Sequence, residues 1–295
     1  MSRLPDFVVI GAARCATTSL YAYLRQHPQV HMSPEKETDY FSLGDLPPHQ
    51  VPPGASRYRA RTQAEYERQF AGAGTAVAVG EASPTYLFYP RSAERMRRLI
   101  PGAKLICVLR DPVERAYSHY ALARRSGFEP LADFEAGVAA EEARWRLDPS
   151  MRHTYVRASL YHDGLRAYFE RYARERILVL RFEDFAADAA ATMREIYRFV
   201  GVDEGYVPDV GVRYNRSLLP RNAFVREAFG RHPRLRRLLL RNLPPRVATR
   251  IGDLLMRRPP GLDREIRERL LPRFDADVRS LERLLGRDLA PWRSP

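Results

Sequence analysis

Three stretches of this 295-residue sequence hold side chains able to bind an anionic group and move a proton. The first is Gly11-Ala12-Ala13-Arg14-Cys15-Ala16-Thr17-Thr18-Ser19-Leu20, directly after the β-branched run Phe7–Ile10. A strand, a turn and a helix start are expected there. A helix N-terminus presents unpaired N–H groups and the positive end of a dipole. The hydroxyls of Thr17, Thr18 and Ser19 and the Arg14 cation would complete an anion cradle. The same Thr-Thr-Ser cluster could instead only cap a helix. The second stretch, Lys104–Tyr120, reads KLICVLRDPVERAYSHY. Arg110 leaves the carboxyl end of a predicted strand, where ligands bind in open α/β sheets, and Pro112 suits a first helical turn. Ser118 lies eight residues on, two helical turns away, so Arg110 and Ser118 can converge on one phosphate. The plainer alternative is an Arg110–Asp111 turn pair with Ser118 in solvent. The third stretch offers proton acceptors near the first loop: His31, Glu35, Glu37 and Asp39, with Lys36 beside Glu37. Group transfer to a hydroxyl or amine needs a base, stabilisation of the developing charge and in-line placement.

The NTPase phosphate loop, G-x-x-x-x-G-K-S/T, carries its lysine at the helix start. Aligned from Gly11, this chain has Ala16 and Thr17 at the Gly-Lys positions, and its cation sits inside the loop at Arg14. The pattern resembles the 5′-phosphosulfate loop of sulfotransferases that use 3′-phosphoadenosine 5′-phosphosulfate (PAPS), G-x-x-K-C/S/G-G/A-T-T/S-x-L. Cys15, Ala16, Thr17, Thr18 and Leu20 match; Arg14 replaces the usual Lys. Arginine keeps the charge and can fork onto phosphate and sulfuryl oxygens. It gives up a proton poorly, but phosphate is a good leaving group, so charge stabilisation suffices. Lys104–Tyr120 is similar to the same family's 3′-phosphate segment, R-D/E/N-P-x-x-R-x-x-S-x-Y/F. Lys36-Glu37-Thr38-Asp39-Tyr40-Phe41 resembles the Lys-Glu-x-x-F/Y-F segment of glycan and bacterial members.

The resemblance implies PAPS as co-substrate, 3′,5′-bisphosphoadenosine (PAP) as product, and no metal. It gives Arg14, Cys15, Ala16, Thr17, Thr18 and Ser19 to the 5′-phosphosulfate, and Arg110 and Ser118 to the 3′-phosphate. Glu37 becomes the general base, with Lys36 and Arg14 completing the catalytic set. Asp39 stands where some glycan enzymes have His. A looser match, Asn215–Arg221, implies a basic loop over the nucleotide, with Arg216 and Arg221 as contacts. Gly80-Glu81-Ala82-Ser83-Pro84-Thr85-Tyr86 resembles a family turn; Glu81 or Ser83 either faces the acceptor or only ends a strand. Tyr155–Glu183 resembles a helix-plus-strand unit with Ser159 at a Gly position, and Glu183-Asp184 reads as a helix-start cap and strand-end pin. His119, beside Ser118, reads as structural. His153 and His162 are left without a place.

Two other classes of function stay in view. A P-loop kinase of a small molecule would need the missing lysine. A non-catalytic basic module would bind nucleic acid or a membrane surface through residues 221–295 with steep salt dependence. For the enzyme, the acceptor class stays open among sugar, lipid, phenol and secondary metabolite, and nucleic acid is not an expected partner.

These side chains need a scaffold. Strands are expected at Phe7–Ile10, Val30–Met32, Val77–Gly80, Lys104–Leu109 and Ile177–Leu180. Helices are expected at 16–26, at 113–125, and from the Glu183-Asp184 turn to Val200. Such alternation implies an α/β fold: a P-loop-like parallel sheet flanked by helices. Beyond about residue 215 no strand is expected. That part reads as a helical C-terminal extension, with Phe274, Val278, Leu281 and Leu285 at helical spacing and Trp292 after them, all within one domain over 1–295. Leu43–Ala60, with four prolines and two glycines, reads as a loop.

Composition bounds the rest. Hydrophobic residues make up 45%, enough for a core, so a disordered basic tail is excluded. Cys15 and Cys107 form neither a disulfide framework nor a zinc spacing. No apolar run approaches the roughly 20 residues of a membrane span, and no secretory pattern opens the chain; a cytoplasmic location is expected. Of the +13 net charge, residues 221–295 carry nineteen arginines against nine acids. Within them, Arg231–Arg258 interleaves Arg with Leu. It reads as a solvated helical face, or as a surface for anionic lipid or an acidic acceptor that would make the protein membrane-peripheral.

Overall fold

The computed structural model describes residues 3–46, 60–210, 219–220, 256–257 and 261–294. Five parallel strands form its sheet: β1 (Phe7–Gly11), β2 (Val30–Met32), β3 (Ala78–Ala82), β4 (Lys104–Leu109) and β5 (Ile177–Arg181), in the order β2-β3-β1-β4-β5. Burial follows position. β1 and β3 are buried at every residue and β4 at all but Lys104, whereas the edge strand β5 is buried only at Ile177 and Leu180. A strand covered on both faces must be apolar throughout, which is why Phe7–Ile10 and Leu105–Leu109 read as unbroken runs.

The chain leaves β1 for β2 on one side and β4 for β5 on the other. The topological switch point therefore lies between β1 and β4, where such sheets open a crevice at the strands' carboxyl ends. The β1–β4 register shifts between Val9 and Gly11, and the Ala12 amide reaches the Val108 carbonyl at 2.8 Å. The first loop is thus tied to β4 as it begins. Gly80 lets β3 approach β1: a Cβ there would fall 2.2 Å from the Phe7 ring.

α1 (Thr17–Leu24) follows β1, α2 (Tyr40–Leu43) and α3 (Gln63–Arg68) follow β2, and α4 (Arg91–Leu99) links β3 to β4. α5 (Pro112–Arg125) follows β4, with Pro112 in its first turn. Asp111 caps it, accepting from the Val113 and Glu114 amides at 3.0 Å. α6 (Phe134–Ala139), α7 (Glu141–Leu147) and α8 (His162–Phe169) lead to β5. The expected single helix after β5 is two, α9 (Phe182–Ala187) and α10 (Ala189–Val200), broken where Asp188 caps the second by accepting from Ala191. Glu183-Asp184 therefore lies in the first turn of α9 rather than at a cap, with Asp184 gripping Arg181 at 2.6 Å.

In the C-terminal part, α11 (Arg264–Leu270) and α12 (Asp275–Leu285) are helical as expected. Phe274, Val278, Leu281 and Trp292 are buried, with Trp292 near the ring of Tyr161. One expectation fails here. Leu219–Pro220 and Met256–Arg257 form a short antiparallel pair, β6 and β7, where no strand was expected. Two residues per strand are too few to leave a periodic signal in the sequence. Among the described residues no helix is long and apolar enough to cross a membrane.

Candidate active site

The first loop runs from the end of β1 to the start of α1. Arg14 (φ 73°) and Ala16 (φ 59°) hold left-handed backbone without being glycine. Each such residue costs on the order of 1–3 kcal/mol and persists only where its surroundings demand it. Ala16 is the N-cap of α1 and has no side-chain acceptor, so the first amides of the helix face the loop uncapped by it. Thr17 and Ser19 are buried, Thr18 is half-buried, and Cys15 is fully buried. Burial pushes the Cys15 thiol up to about 11, against the pull of Arg115 and Arg110. Cys15 is therefore a packed thiol, not a nucleophile. Arg14 donates through Nε to Ser118 Oγ at 3.1 Å. Burial, then Arg125, Arg110 and Arg115, lower its pKa to about 10, so it stays cationic at neutral pH.

That contact joins the first stretch to the second. Ser118 faces the loop from α5, buried beside Arg14. Arg110 at the end of β4 pairs with Glu114 at 3.0 Å and lies 4.6 Å over the Phe182 ring. Its carbonyl accepts from Tyr161 at 2.9 Å. The Arg110–Asp111 turn pair is not formed: Asp111 binds Arg267 of α11 in a bidentate pair, at 2.6 and 3.1 Å. Glu183 pins the Asp111 amide at 3.0 Å. The C-terminal helices thus brace the second stretch, a role the packing pattern in the sequence did not reveal.

The third stretch lies at the end of β3, the strand next to β1. The Glu37 amide donates to the Ala82 carbonyl at 3.0 Å. Glu37 (φ 64°) and Asp39 (φ 54°) are again left-handed without glycine. The Glu37 carboxylate is half-exposed and paired with Lys36. Between Glu37 and Asp39, Thr38 is fully buried and donates to Glu81 Oε2 at 2.8 Å. Glu81 is wholly inside and takes three more hydroxyls: Ser83 at 2.8 Å, Tyr86 at 2.8 Å and Tyr66 at 2.9 Å. Neither Glu81 nor Ser83 is exposed to solvent at this strand-ending turn. Glu81 and Ser83 form an interior cage that holds Thr38, and Ser83 also accepts from the Asp39 amide at 3.2 Å. Burial raises the pKa of Glu81 despite its four hydroxyl donors. Asp39 accepts from Thr85 Oγ1 at 2.6 Å. Burial pushes its carboxyl up to about 7, opposed by Thr85 and reinforced by Glu37 and Glu81.

The other candidates fall outside this crevice or serve packing. His119 is buried against Arg115 and the Tyr155 ring, and burial followed by the Arg115 charge drives its pKa well down. His153 lies 3.8 Å from Glu129, and His162 contacts Asp163 at 3.0 Å. His31 Nε2 is buried on β2 without a partner. Arg216, Arg221 and nearly all of Arg231–Arg258 lie outside the described residues. Sequence reasoning gave no role to Arg115, which is fully buried and reaches back to the first loop. Its place inside the R-x-x-S spacing was the available signal.

A strand-end loop that opens a helix, an arginine joining it to a second strand-to-helix turn, and a Lys–Glu pair at the end of the neighbouring strand are now in place. The model of the sulfotransferase family matches residues 5–206. The chain belongs to the sulfotransferase family. A crystal structure of a sulfotransferase from Alicyclobacillus acidocaldarius aligns over 99% of this chain and 100% of that one, with TM-score 0.78 and 32% identity. Human carbohydrate sulfotransferase 15 is 28% identical over 249 residues, covering 68% of this chain and 44% of that protein. Mouse bifunctional heparan sulfate N-deacetylase/N-sulfotransferase 4 is 26% identical over 210 residues, covering 69% of this chain and 23% of that one. The chain therefore spans less than half the length of these curated relatives. Family membership explains why an NTPase-like sheet carries no lysine at the helix start.

Proposed function

We propose that this protein transfers a sulfuryl group from PAPS to a hydroxyl or amine of an acceptor such as a sugar, a lipid, a phenol or another small metabolite. The observation that carries this reading is the Arg14–Ser118 contact at 3.1 Å, which links the two anion-binding stretches in one crevice. In this reading the amides of Thr17, Thr18 and Ser19 and the Arg14 guanidinium hold the 5′-phosphosulfate. Arg110 and Ser118 hold the 3′-phosphate. Glu37 takes the acceptor proton as the new S–O bond (S–N for an amine) forms. The bond to the 5′-phosphate oxygen breaks, and Arg14 and the loop amides stabilise the charge that gathers there. Lys36 orients the Glu37 carboxylate and faces the same oxygens. The left-handed backbone at Arg14, Ala16, Glu37 and Asp39 supports this division, because strained non-glycine residues persist where function demands them.

The test is thermal unfolding with PAP, with ATP and Mg²⁺, and without ligand. Stabilisation by PAP alone, followed by a one-sulfuryl mass gain on an acceptor in extracts given PAPS, is the expected result. A melting temperature indifferent to PAP sinks the reading. Stabilisation and turnover with ATP would replace it with a kinase.

A further inference from the structure

Arg115 is one of the largest fully buried side chains in the protein. Its Nε donates to Ser159 Oγ at 2.6 Å, and the Ser159 hydroxyl donates in turn to the Tyr155 carbonyl at 2.9 Å. Its other nitrogens reach the Tyr155 carbonyl at 3.0 Å, the Thr154 carbonyl at 3.3 Å, His119 Nδ1 at 3.2 Å and the Ala13 carbonyl at 3.5 Å. Every one of these partners is neutral. Burial and Arg115 itself keep His119 uncharged. The acid it senses, Glu141, is already engaged by the Val156 and Arg157 amides at 2.7 and 2.8 Å. Among the described residues no carboxylate forms an ion pair with Arg115. Glu141 therefore acts on Arg115 only at a distance, with no direct ion pair to offset the burial of its charge. Arg14, directly in the loop, feels Arg125, Arg110 and Arg115 as like charges. Such an excess of buried positive charge is tolerable in a protein whose ligand brings the missing negative charge.

We propose that Arg115 is a positioning residue for the anionic donor: from behind Ala13, its unneutralised charge strengthens binding of the 5′-phosphoryl group without touching it. The proposal rests on reading the loop as the 5′-phosphosulfate site. Ser159 sets the guanidinium in place, which gives a purpose to a serine where the family pattern has glycine.

The experiment measures binding of two ligands, PAP and adenosine 3′-monophosphate, by calorimetry on the full chain. The second ligand lacks the 5′-phosphate. The proteins are wild type, Arg115→Gln and Arg115→Lys. Arg115→Gln keeps a donor for the carbonyls and removes the charge. It should weaken PAP by about tenfold, the effect of one unit charge a layer away in a partly polar interior, and leave adenosine 3′-monophosphate unchanged. Arg115→Lys should keep most of the PAP affinity. If the Gln variant fails to fold, the Lys variant carries the test alone with the same ligands. Equal losses for both ligands, unchanged PAP affinity in Arg115→Gln, or a Lys variant as weak as expected for Gln overturns the proposal. Wild-type protein that binds no PAP overturns the donor reading itself, so the two failures are distinct.

Discussion

Glu81 offers a severe test of how the Glu37–Asp39 segment is held. Its carboxylate takes four hydroxyls at 2.8–2.9 Å in a fully buried site. Replacing it by Ala leaves Thr38, Ser83, Tyr66 and Tyr86 without their shared acceptor, where no solvent reaches. An unsatisfied buried polar group costs about 1–3 kcal/mol. Some re-pairing is open, since Thr38 already lies 3.0 Å from the Tyr86 hydroxyl and 3.5 Å from Ser83. Two stranded hydroxyls give about 4 kcal/mol, and relief of the buried charge subtracts a fraction of that. With that fraction removed the net loss is about 3 kcal/mol, and at about 2 °C per kcal/mol for a chain of this size the melting temperature should fall by roughly 6 °C. Turnover should fall further than stability explains, because Thr38 sits between Glu37 and Asp39. The assay is urea unfolding beside kcat at a temperature where the variant stays folded. A loss of stability under about 1 kcal/mol, with unchanged kcat, would refute the claim that the cage holds the base segment.

The remaining predictions concern the crevice itself. Glu37→Gln should cut turnover by about 100-fold or more, the usual worth of a general base, with PAP affinity unchanged by calorimetry. Arg110→Ala should weaken PAP by about tenfold, removing one charge-assisted contact; equal losses of turnover and binding in both variants would undo this division of roles. Asp39 titrates from 3.8 toward about 7 on folding, so its contribution to stability is full below pH 4 and is lost as pH rises to 7. Asp39→Asn should therefore gain stability relative to wild type across pH 4–7, by an amount on the order of a few kcal/mol. A flat difference between their urea midpoints over that range would contradict the assignment.

Local apolar runs made the sheet legible. Each of the five strands was marked by its own residues, and strand–helix alternation sufficed for parallel pairing. The loop Gly11–Ser19 and the Lys104–Tyr120 unit were readable because their chemistry is contiguous in sequence. What escaped was long-range. Glu81 draws its partners from positions 38, 66, 83 and 86. No spacing rule joins Tyr66, on α3, to a strand 15 residues later. Asp111 invited pairing with its neighbour Arg110, yet the fold supplies Arg267, 156 residues away, in a better bidentate geometry. Arg115 was marked only by its place in the R-x-x-S spacing, which carries no role by itself; its burial and its reach to the Ala13 carbonyl come from the fold.

The turn from Thr85 to Tyr89 belongs to both halves of the crevice. Thr85 holds Asp39 on the acceptor side at 2.6 Å. Two residues on, the Leu87 amide binds the Ile10 carbonyl at 2.9 Å, and its side chain leaves no room for a Cβ on Gly11. The Tyr86 carbonyl is held from behind by the Tyr168 hydroxyl at 3.0 Å. These three anchors tie the Asp39 side chain, the end of β1 and α8 to one short turn. A substitution at Leu87 made to open space beside Gly11 should therefore also disturb the Thr85–Asp39 contact two residues away.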